Sequence, residues 1–482
     1  MVPFNRRRFL QTAGSVATMA ALTALAAPAS AAAPVDLRVV TRSIEVNGKA
    51  AKVFGLLGPD GKPGLVFNAG DRFAVKLRNE TAEPALIHWH GLTPPNSQDG
   101  VPGVTQPFLQ PGESSTYDFP LELPGTNWMH SHHSLQAQRL MSAPLIVRDP
   151  AEAGFDEQEV TVILGDFTFR DPAEILTELR HGQMSHMDHG AAQPGMDMPG
   201  MDMSSMDMPG MSAQAAGHFN DIAFDAFLAN DRTLDDPEVV TVERSGKVRL
   251  RIINAAASTN FMIDFQGLTG ELIAVDGRPV VPLNARRLPL GMAQRADVRL
   301  HLDGAGAWPI LFQREGAVER TGIILAAPGA AVARVAGLAG EPTSALDLMA
   351  GRILQSRAGL KPRKADRRIS VELVGNMMAY SWGMPPAGAA NGVIEVERGQ
   401  RVEIEMINRS DMSHPMHLHG HHFQIVELNG QAVDGAVRDT EVVPVNGRAT
   451  IAFDADNPGR WMFHCHNLYH MLSGMTAEVR YT

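Results

Sequence analysis

Cysteine is almost absent from this chain, which contains a single one, Cys465, in 482 residues. One cysteine excludes an internal disulfide, so this thiol is either an inert buried side chain or a metal or redox ligand. Basic residues are also in deficit, with 42 lysines and arginines against 53 acidic residues. The resulting net charge of -11 at pH 7 argues against nucleic acid as a partner. Long apolar runs are missing as well, so we expect no stable membrane anchor.

Glycine and proline are abundant, with 45 and 32 residues, and they favour a loop-rich all-β architecture over a helical one. The chain length suggests roughly three domains of about 150 residues each. Three similar strand patterns agree with this number: RFAVKLRN ends at Asn79, KVRLRIIN at Asn254 and RVEIEMIN at Asn408. These patterns predict three copies of one β-sandwich. We expect domains at residues 34–150, 151–330 and 369–482, with a linker at 331–368.

The three copies differ in their histidines. The first and third carry four motifs: His88-Trp89-His90, His130-Ser131-His132, HPMHLHG (His414, His417, His419) and HCHNLYHMLSGM (His464, Cys465, His466, His470, Met475). In both copies one His-x-His pair begins nine residues past the asparagine and another five residues past a glycine. The middle copy has Ile263 and Leu311 at these places. On a strand both rings of such a pair share one face, as adjacent metal ligands require.

Cys465 is combined with histidines and a distant methionine, the ligand set of a blue-copper electron-transfer site. His414, Cys465 and His470 would be the strong ligands, and Met475 the weak axial one. Zinc is the alternative, but structural zinc usually takes several cysteines. On a strand, the two histidines that flank Cys465 point away from it. The sequence therefore predicts two metal centres joined through two peptide units, a path for electrons.

Two segments stand apart from the strand pattern. Residues 1–33 carry Arg6 and Arg7 ahead of a short apolar stretch and resemble a twin-arginine export signal, with cleavage after Ala31 or Ala33. Residues 181–218 lack hydrophobic periodicity, which indicates a loop inserted into the second domain. Thioethers are soft ligands suited to Cu(I). This insertion holds nine of the 25 methionines: Met184, Met187, Met196, Met198, Met201, Met203, Met206, Met208 and Met211.

The four motifs, in this order, resemble those of the multicopper oxidases, the family of laccases, ascorbate oxidase and bacterial copper-resistance oxidases. The resemblance covers essentially the whole mature chain, and Tyr469 and Met471 match the periplasmic copper-resistance (cuprous oxidase) branch. It implies three consecutive cupredoxin-like Greek-key β-sandwich or barrel domains and four copper ions. The implied ligands are His414, Cys465, His470 and Met475 for type 1 copper, His88 and His417 for type 2, and His90, His130, His132, His419, His464 and His466 for the type 3 pair.

The resemblance also implies a reaction. Electrons enter at the edge of His470, pass through Cys465 to the trinuclear cluster between the first and third domains, and reduce O₂ to water. The middle domain would be a spacer. Asp99 resembles the family's acidic residue beside the cluster, which helps to supply protons, although an aspartate before Gly100 is also typical of a turn. Met471 stands where many relatives have a glutamate.

Three functions remain open at this point. The first is periplasmic oxidation of Cu(I) to Cu(II) for copper tolerance, which the methionine-rich insertion favours. The second is laccase-like oxidation of phenols or diamines, and the third is non-enzymatic copper binding. We expect O₂ as the electron acceptor, export by the twin-arginine machinery and a monomer. Asp439 lies in a stretch that resembles the branch's copper-substrate region, so we expect it near bound substrate.

Overall fold

A computed structural model describes most of the chain. The described residues are 33–181, 219–243, 245–346, 352–386 and 392–482. Residues 34–482 form one compact unit. The predicted export signal up to residue 32 and all nine methionines of the predicted insertion lie outside the described residues. None of the helices within the described ranges is long and apolar enough to cross a membrane.

The first stretch of the chain forms two four-stranded sheets, with strand orders β2-β1-β4-β6 and β3-β8-β7-β5. Its strands are β1 (Val35–Val46), β2 (Lys49–Leu57), β3 (Leu65–Asn68), β4 (Arg72–Asn79), β5 (Ile87–His90), β6 (Ser114–Pro120), β7 (Gly125–Ser131) and β8 (Ser142–Arg148). Short 3₁₀ turns lie at Asn96–Gln98 and Pro150–Glu152.

The second stretch forms a six-stranded sheet, β10-β9-β12-β17-β14-β15, and a five-stranded sheet, β11-β19-β18-β13-β16. Its elements are β9 (Gln158–Phe167), α1 (Pro172–Arg180), β10 (Ala226–Ala229), β11 (Val239–Thr241), β12 (Lys247–Asn254), β13 (Phe261–Asp264), β14 (Gly270–Val275), β15 (Arg278–Ala285), β16 (Arg287–Leu290), β17 (Arg295–His301), β18 (Ala307–Arg314) and β19 (Arg320–Ala326). Asp171 caps α1, because its side chain accepts a hydrogen bond from the Ala173 N–H.

The third stretch forms a seven-stranded sheet, β21-β20-β23-β29-β25-β26 with β27 paired to β25, and a five-stranded sheet, β22-β31-β30-β24-β28. Its elements are β20 (Arg367–Asn376), β21 (Ser381–Gly383), β22 (Val393–Val396), β23 (Arg401–Asn408), β24 (His414–Leu418), β25 (Phe423–Leu428), β26 (Gln431–Ala432), β27 (Val437–Arg438), β28 (Thr440–Val443), β29 (Arg448–Asp454), β30 (Arg460–Cys465), α2 (Leu468–Leu472) and β31 (Thr476–Tyr481). The prediction of an all-β chain is confirmed.

The three predicted repeat strands are β4, β12 and β23, and each pairs in parallel with the first strand of its stretch. Their alternating sequences bury one face; in β23, Val402, Ile404 and Met406 are fully buried. Burying such a side chain stabilises the fold by about 1.5–3 kcal/mol. Each strand ends in a buried asparagine whose side-chain amide donates to at least two loop or strand carbonyls. The repeat in sequence is therefore a repeat in structure.

A buried carboxylate joins the first stretch to the second. Asp297 in β17 accepts hydrogen bonds from Arg249 (2.8 Å) and Arg251 (2.9 Å), both in β12. Its other oxygen accepts from the hydroxyl of Thr126 in β7, at 2.5 Å. Burial alone would raise the pKa of Asp297, but the two guanidinium groups outweigh this and lower it below its usual value.

We expect Asp297→Asn to lower the free energy of unfolding by about 1.5–3 kcal/mol at neutral pH, because it removes the buried charge that Arg249 and Arg251 share and leaves them only Glu152 and Glu159. The folded pKa lies below the unfolded value of about 3.9, so this stabilisation is fully present above that pH and is lost as pH falls through the folded pKa. Urea unfolding at a series of pH values should therefore show the difference from wild type shrinking on acidification. The control Asp118→Asn breaks an exposed pair with Arg72 and should change stability by less than about 1 kcal/mol. A difference that grows on acidification would contradict this prediction.

Candidate metal centres

One buried cluster joins Cys465 to two histidines. The Cys465 Sγ lies 3.6 Å from His414 Nδ1 and 3.9 Å from His470 Nδ1, and the two nitrogens are 3.2 Å apart. Strand β24 begins at His414, β30 ends at Cys465 and α2 carries His470. Met475 is fully buried nearby; its N–H donates to the His470 carbonyl and its carbonyl accepts from the Cys465 N–H. The structure thus brings together the three strong ligands that the sequence predicts.

The far nitrogens of both rings are held by hydrogen bonds. His414 Nε2 donates to Ser410 Oγ at 2.6 Å, since that hydroxyl itself donates to Asn408. His470 Nε2 donates to Asp221 Oδ1 at 2.9 Å. These contacts fix the tautomer in which Nδ1 of each ring carries a lone pair towards Cys465.

The other eight predicted histidine ligands lie in a second cluster. Strand pairing assembles it, because β5 and β7 place His88 opposite His130 while β24 and β30 place His417 opposite His464. The ligand atoms fall into three groups, each within 4.8 Å: His88, His90 and His417; His90, His130 and His466; His132, His419 and His464. Each group combines residues of the first and third stretches.

Whether this cluster fits a metal can be judged from its ring nitrogens that lack a hydrogen-bond partner. Six buried ring nitrogens have no hydrogen-bond partner: His88 Nε2, His90 Nδ1, His130 Nε2, His132 Nε2, His417 Nε2 and His466 Nε2. The Nε2 atoms of His419 and His464 face each other at 3.0 Å. A buried unpaired polar atom costs about 1–3 kcal/mol, so this concentration at one point is explained by ligation. Imidazole donors suit copper.

Backbone carbonyls orient several of these rings. His88 Nδ1 donates to the Asp99 carbonyl (2.9 Å) and His417 Nδ1 to the Asp439 carbonyl (2.8 Å). His464 Nδ1 donates to the Cys465 carbonyl, also at 2.8 Å. Because each bond occupies the nitrogen that faces away from the cluster, the other nitrogen is left as the metal-facing donor.

Burial disfavours the protonated form of most histidines in the two clusters. It holds the pKa of seven rings well below the usual range, those of His90, His130, His132, His414, His417, His419 and His466. The pKa of His464 falls to about 4 for the same reason. Burial raises the pKa of the Cys465 thiol. Neutral imidazoles are the form that ligates, and a coordinated thiol loses its proton to the metal.

Asp99 lies against this cluster, as the sequence predicts. It is fully buried, and its Oδ2 accepts from His419 Nδ1 at 2.9 Å. Its Oδ1 lies 3.2 Å from His88 Nδ1 but accepts no hydrogen bond, since that N–H donates to the Asp99 carbonyl. The turn interpretation holds as well: Gly100 has φ +82°, and a Cβ there would lie 1.9 Å from the Ile87 carbonyl oxygen.

Asp439 lies among the eight histidines, where its Oδ1 accepts from His90 Nε2 at 3.0 Å. Its expected place near bound substrate stays a prediction. The expectation that the middle stretch is only a spacer was wrong, because this stretch supplies Asp221 to His470 and Arg295 to Asp439.

Sequence reasoning missed Asp221, Arg295, Ser410 and Trp382. The Trp382 ring stacks on His470 at a centroid distance of 3.9 Å. Ser410 had a local signal, since it precedes His414 by four residues in the same loop. The others contact partners at least 88 residues away, and no spacing in the sequence indicates such contacts.

Cys465 lies between the two clusters. Its side chain belongs to the first, whereas His464 and His466 enter two different histidine groups of the second. The strand therefore separates neighbouring side chains as expected. A narrow cavity lined by His132, His466 and Met471 adjoins the second cluster and has no carboxylate among its described lining residues.

Known proteins resemble the chain over most of its length. Sequence models of the family described as multicopper oxidase match residues 39–152, 158–328 and 363–482. Multicopper oxidase MmcO of Mycobacterium tuberculosis is 30% identical, over 96% of this chain and 91% of the relative. Copper resistance protein A of Escherichia coli is 26% identical, over 92% of each chain.

The fold is shared with a solved structure. The multicopper oxidase Fet3p superposes with a TM-score of 0.73 at 20% identity, over 92% of this chain and 90% of that one. This likeness confirms the predicted cupredoxin-like fold class. Together, the family matches and the two clusters show that the chain is a copper-dependent oxidoreductase that belongs to the multicopper oxidase family.

Proposed function

We propose that the chain oxidises Cu(I) to Cu(II) and passes the electrons to O₂. In balance, four Cu(I), four protons and one O₂ give four Cu(II) and two waters. The observation that carries the choice of substrate is the position of the residues that flank the methionine-rich segment. Arg180, just before it, donates to the Leu472 carbonyl at 2.5 Å, and Asp221, just after it, accepts from His470. The described residues on both sides of the segment therefore lie beside the Cys465 cluster.

The ligand roles follow from the groups. We infer that His414, Cys465 and His470 would hold type 1 copper, with Met475 as a weaker fourth ligand, and that His88 and His417 would help to hold type 2 copper. The type 3 pair falls to two sets of three, His90, His130 and His466 in one and His132, His419 and His464 in the other. Four coppers per chain are supported by the unpaired nitrogens, which converge in these sets.

Bound copper supplies the one-electron redox couple and the site of O₂ reduction. The chain supplies the connection, since Cys465 is covalently continuous with His464 and His466. Burial of His470 excludes water from the electron-accepting side. Its Nε2–H already donates to Asp221, so a phenol has no free ring N–H on which to dock. This arrangement favours a small metal-ion donor held by thioethers over an organic one.

Asp99 is the residue that we propose for proton supply to the cluster. Its Oδ1 accepts no hydrogen bond, so it can hold a proton without breaking an existing contact. Asp439 is less suited, because both of its carboxylate oxygens are paired with Arg295. Met471, which lines the cavity beside His132 and His466, offers no acidic proton.

Export and domain limits complete the proposal. The twin-arginine motif supports export of the folded protein to the periplasm, with cleavage after Ala31 or Ala33, and the family resemblance supports a monomer. We propose domain limits at 34–150, 151–330 and 369–482, with the linker at 331–368. The family matches end close to these limits and support them.

The test compares O₂ consumption with Cu(I) and with a phenol as reductants. It uses the copper-loaded mature protein, a variant lacking residues 184–211, and a full-length variant with all nine methionines changed to leucine. We expect kcat/KM for Cu(I) to fall roughly tenfold in both variants, equivalent to about 1.4 kcal/mol of lost Cu(I) binding. Phenol oxidation should rise only in the deletion, because leucines preserve the bulk of the segment while removing its sulfur.

Two results would point elsewhere. Unchanged Cu(I) oxidation in the leucine variant removes the methionines from the mechanism. A wild-type preference for phenol, with Cu(I) oxidation unaffected by the deletion, identifies a laccase-like oxidase of phenols or diamines instead.

A further inference from the structure

Arg295 lies where all three stretches of the chain meet. It is fully buried at the start of β17, in the stretch that carries no metal-binding histidine. Its Nε donates to the carbonyl of Thr126 in the first stretch, at 3.1 Å. Its two terminal nitrogens donate to Asp439 in the third stretch, Nη1 to Oδ1 at 2.7 Å and Nη2 to Oδ2 at 2.5 Å. One guanidinium thus joins all three stretches of the chain.

Asp439, which Arg295 holds in place, accepts hydrogen bonds from two different histidines. Its Oδ1 accepts from His90 Nε2 at 3.0 Å, and its backbone carbonyl accepts from His417 Nδ1 at 2.8 Å. Thr440 adds a third contact, because its hydroxyl donates to Asp439 Oδ1 at 3.0 Å. The position of a single residue therefore sets the orientation of rings that come from the first and third stretches.

Neighbouring groups pack tightly against the Arg295 side chain and backbone. A Cβ on Gly91, the residue after His90, would lie 2.5 Å from Arg295 Nη2, so only glycine leaves room for the guanidinium there. The Arg295 N–H donates to Asp276 Oδ1 at 2.9 Å, and Nη1 also donates to the Ala293 carbonyl at 3.0 Å. A rigid fork of donors paired with a carboxylate gives direction as well as charge, which a lysine cannot reproduce.

We propose that Arg295 is a positioning residue for the trinuclear copper site: through Asp439 it sets the rings of His90 and His417, so the copper-free middle domain helps to build a site made of the other two. The inference rests on the ligand roles proposed above. Contacts of this kind, one step removed from a metal, change metal affinity by roughly 10- to 100-fold when they are lost.

The test is Arg295→Lys, with Arg251→Lys as its matched control. Arg251 is also buried, pairs with Asp297 and donates to the hydroxyl of Thr126. Among the described residues, however, Arg251 makes no hydrogen bond to Asp439 or to a histidine proposed as a metal ligand. Each apoprotein is loaded with copper and dialysed against a low copper concentration. Copper per chain, the blue absorption of type 1 copper and the electron paramagnetic resonance signal of type 2 copper are then measured, together with the thermal midpoint of the apoprotein.

We expect Arg295→Lys to keep its type 1 copper and to bind trinuclear copper roughly 10- to 100-fold more weakly. Arg251→Lys should keep type 1 and trinuclear copper, although the thermal midpoints of the two apoprotein variants are comparable. If Arg295 had a purely structural role, two variants of equal thermal stability would lose copper equally. Equal retention of trinuclear copper by Arg295→Lys and wild type overturns the inference alone. A wild-type protein that takes up only type 1 copper overturns the proposed ligand roles and the inference together.

A second variant covers the case in which Arg295→Lys does not fold. Asp439→Asn keeps the side-chain shape and an oxygen for His90, but it places an amide where Arg295 donates. It should lose trinuclear copper selectively, as Arg295→Lys does, and normal uptake of trinuclear copper by Asp439→Asn overturns the inference.

Discussion

Cys465→Ser is expected to abolish oxidation of every reductant while the protein stays folded. A serine hydroxyl is a hard, neutral oxygen and cannot replace the soft thiolate that a blue-copper site requires. The side chain is fully buried, so an unpaired hydroxyl there costs about 1–3 kcal/mol, too little to unfold a large compact chain. His464 and His466 keep their places on either side, because the backbone of β30 is unchanged.

The measurements are blue absorption, copper per chain and O₂ consumption. We expect the blue absorption and turnover to vanish while trinuclear copper remains. Met475→Leu is the control, since it keeps the three strong ligands and should keep the blue colour. Oxidation that survives in Cys465→Ser would exclude the path through this residue.

Asp221→Ala should give one of the largest losses of stability in the chain. The carboxylate is fully buried and accepts from four side chains: His470 Nε2, Tyr380 OH at 2.5 Å, Asn467 Nδ2 at 2.6 Å and Ser258 Oγ. Burial alone would raise the pKa of Asp221, but His470 and the hydrogen bonds outweigh this and lower it. Removing the acceptor leaves the buried donors of His470, Tyr380 and Ser258 unpaired, while Asn467 keeps its contact with Ser258 Oγ. We therefore expect the free energy of unfolding to fall by about 3–5 kcal/mol.

Asp221→Ala should also weaken the binding of type 1 copper. Without Asp221, His470 can rotate, and type 1 copper should bind roughly 10- to 100-fold more weakly. The measurements are urea unfolding of the apoprotein and copper titration followed by blue absorption. Asp225→Ala is the control, because Asp225 lies in the same segment but is exposed, and within the described ranges its carboxylate accepts only from Thr168 and the Phe169 N–H. A change below about 1 kcal/mol in Asp221→Ala would contradict the prediction.

Much of the histidine cluster could be predicted because its signals are local. Side chains two residues apart on a strand point to the same face. Each His-x-His pair therefore predicts two rings on one face without any knowledge of the fold. The repeat asparagines are equally local, since each ends its strand and binds the loop that follows. The same rule of alternation separates Cys465 from its neighbours and explains why one tripeptide contributes to both clusters.

Contacts between distant parts of the chain could not be predicted in this way. Asp221 meets His470 across 249 residues and Arg295 meets Asp439 across 144. Neither residue belongs to a periodic pattern, because what fixes it is the packing of one sheet against another. The contact of Asp439 with His90 could not be predicted for a related reason. A resemblance in sequence gives the position of Asp439 along the chain, whereas its neighbours in space depend on the pairing of β24 with β28, which begins at the next residue.

The division of each histidine group between the two ends of the chain has a consequence for synthesis. His88 is translated about 330 residues before His417, its partner in one group. At roughly 5–20 residues per second, this interval lasts on the order of 20–60 s. Throughout that time the candidate ligands His88, His90, His130 and His132 have no C-terminal partners and can capture stray metal ions singly. Copper that enters correctly must do so after the last strand is made, so metal loading is a late event in the life of each molecule.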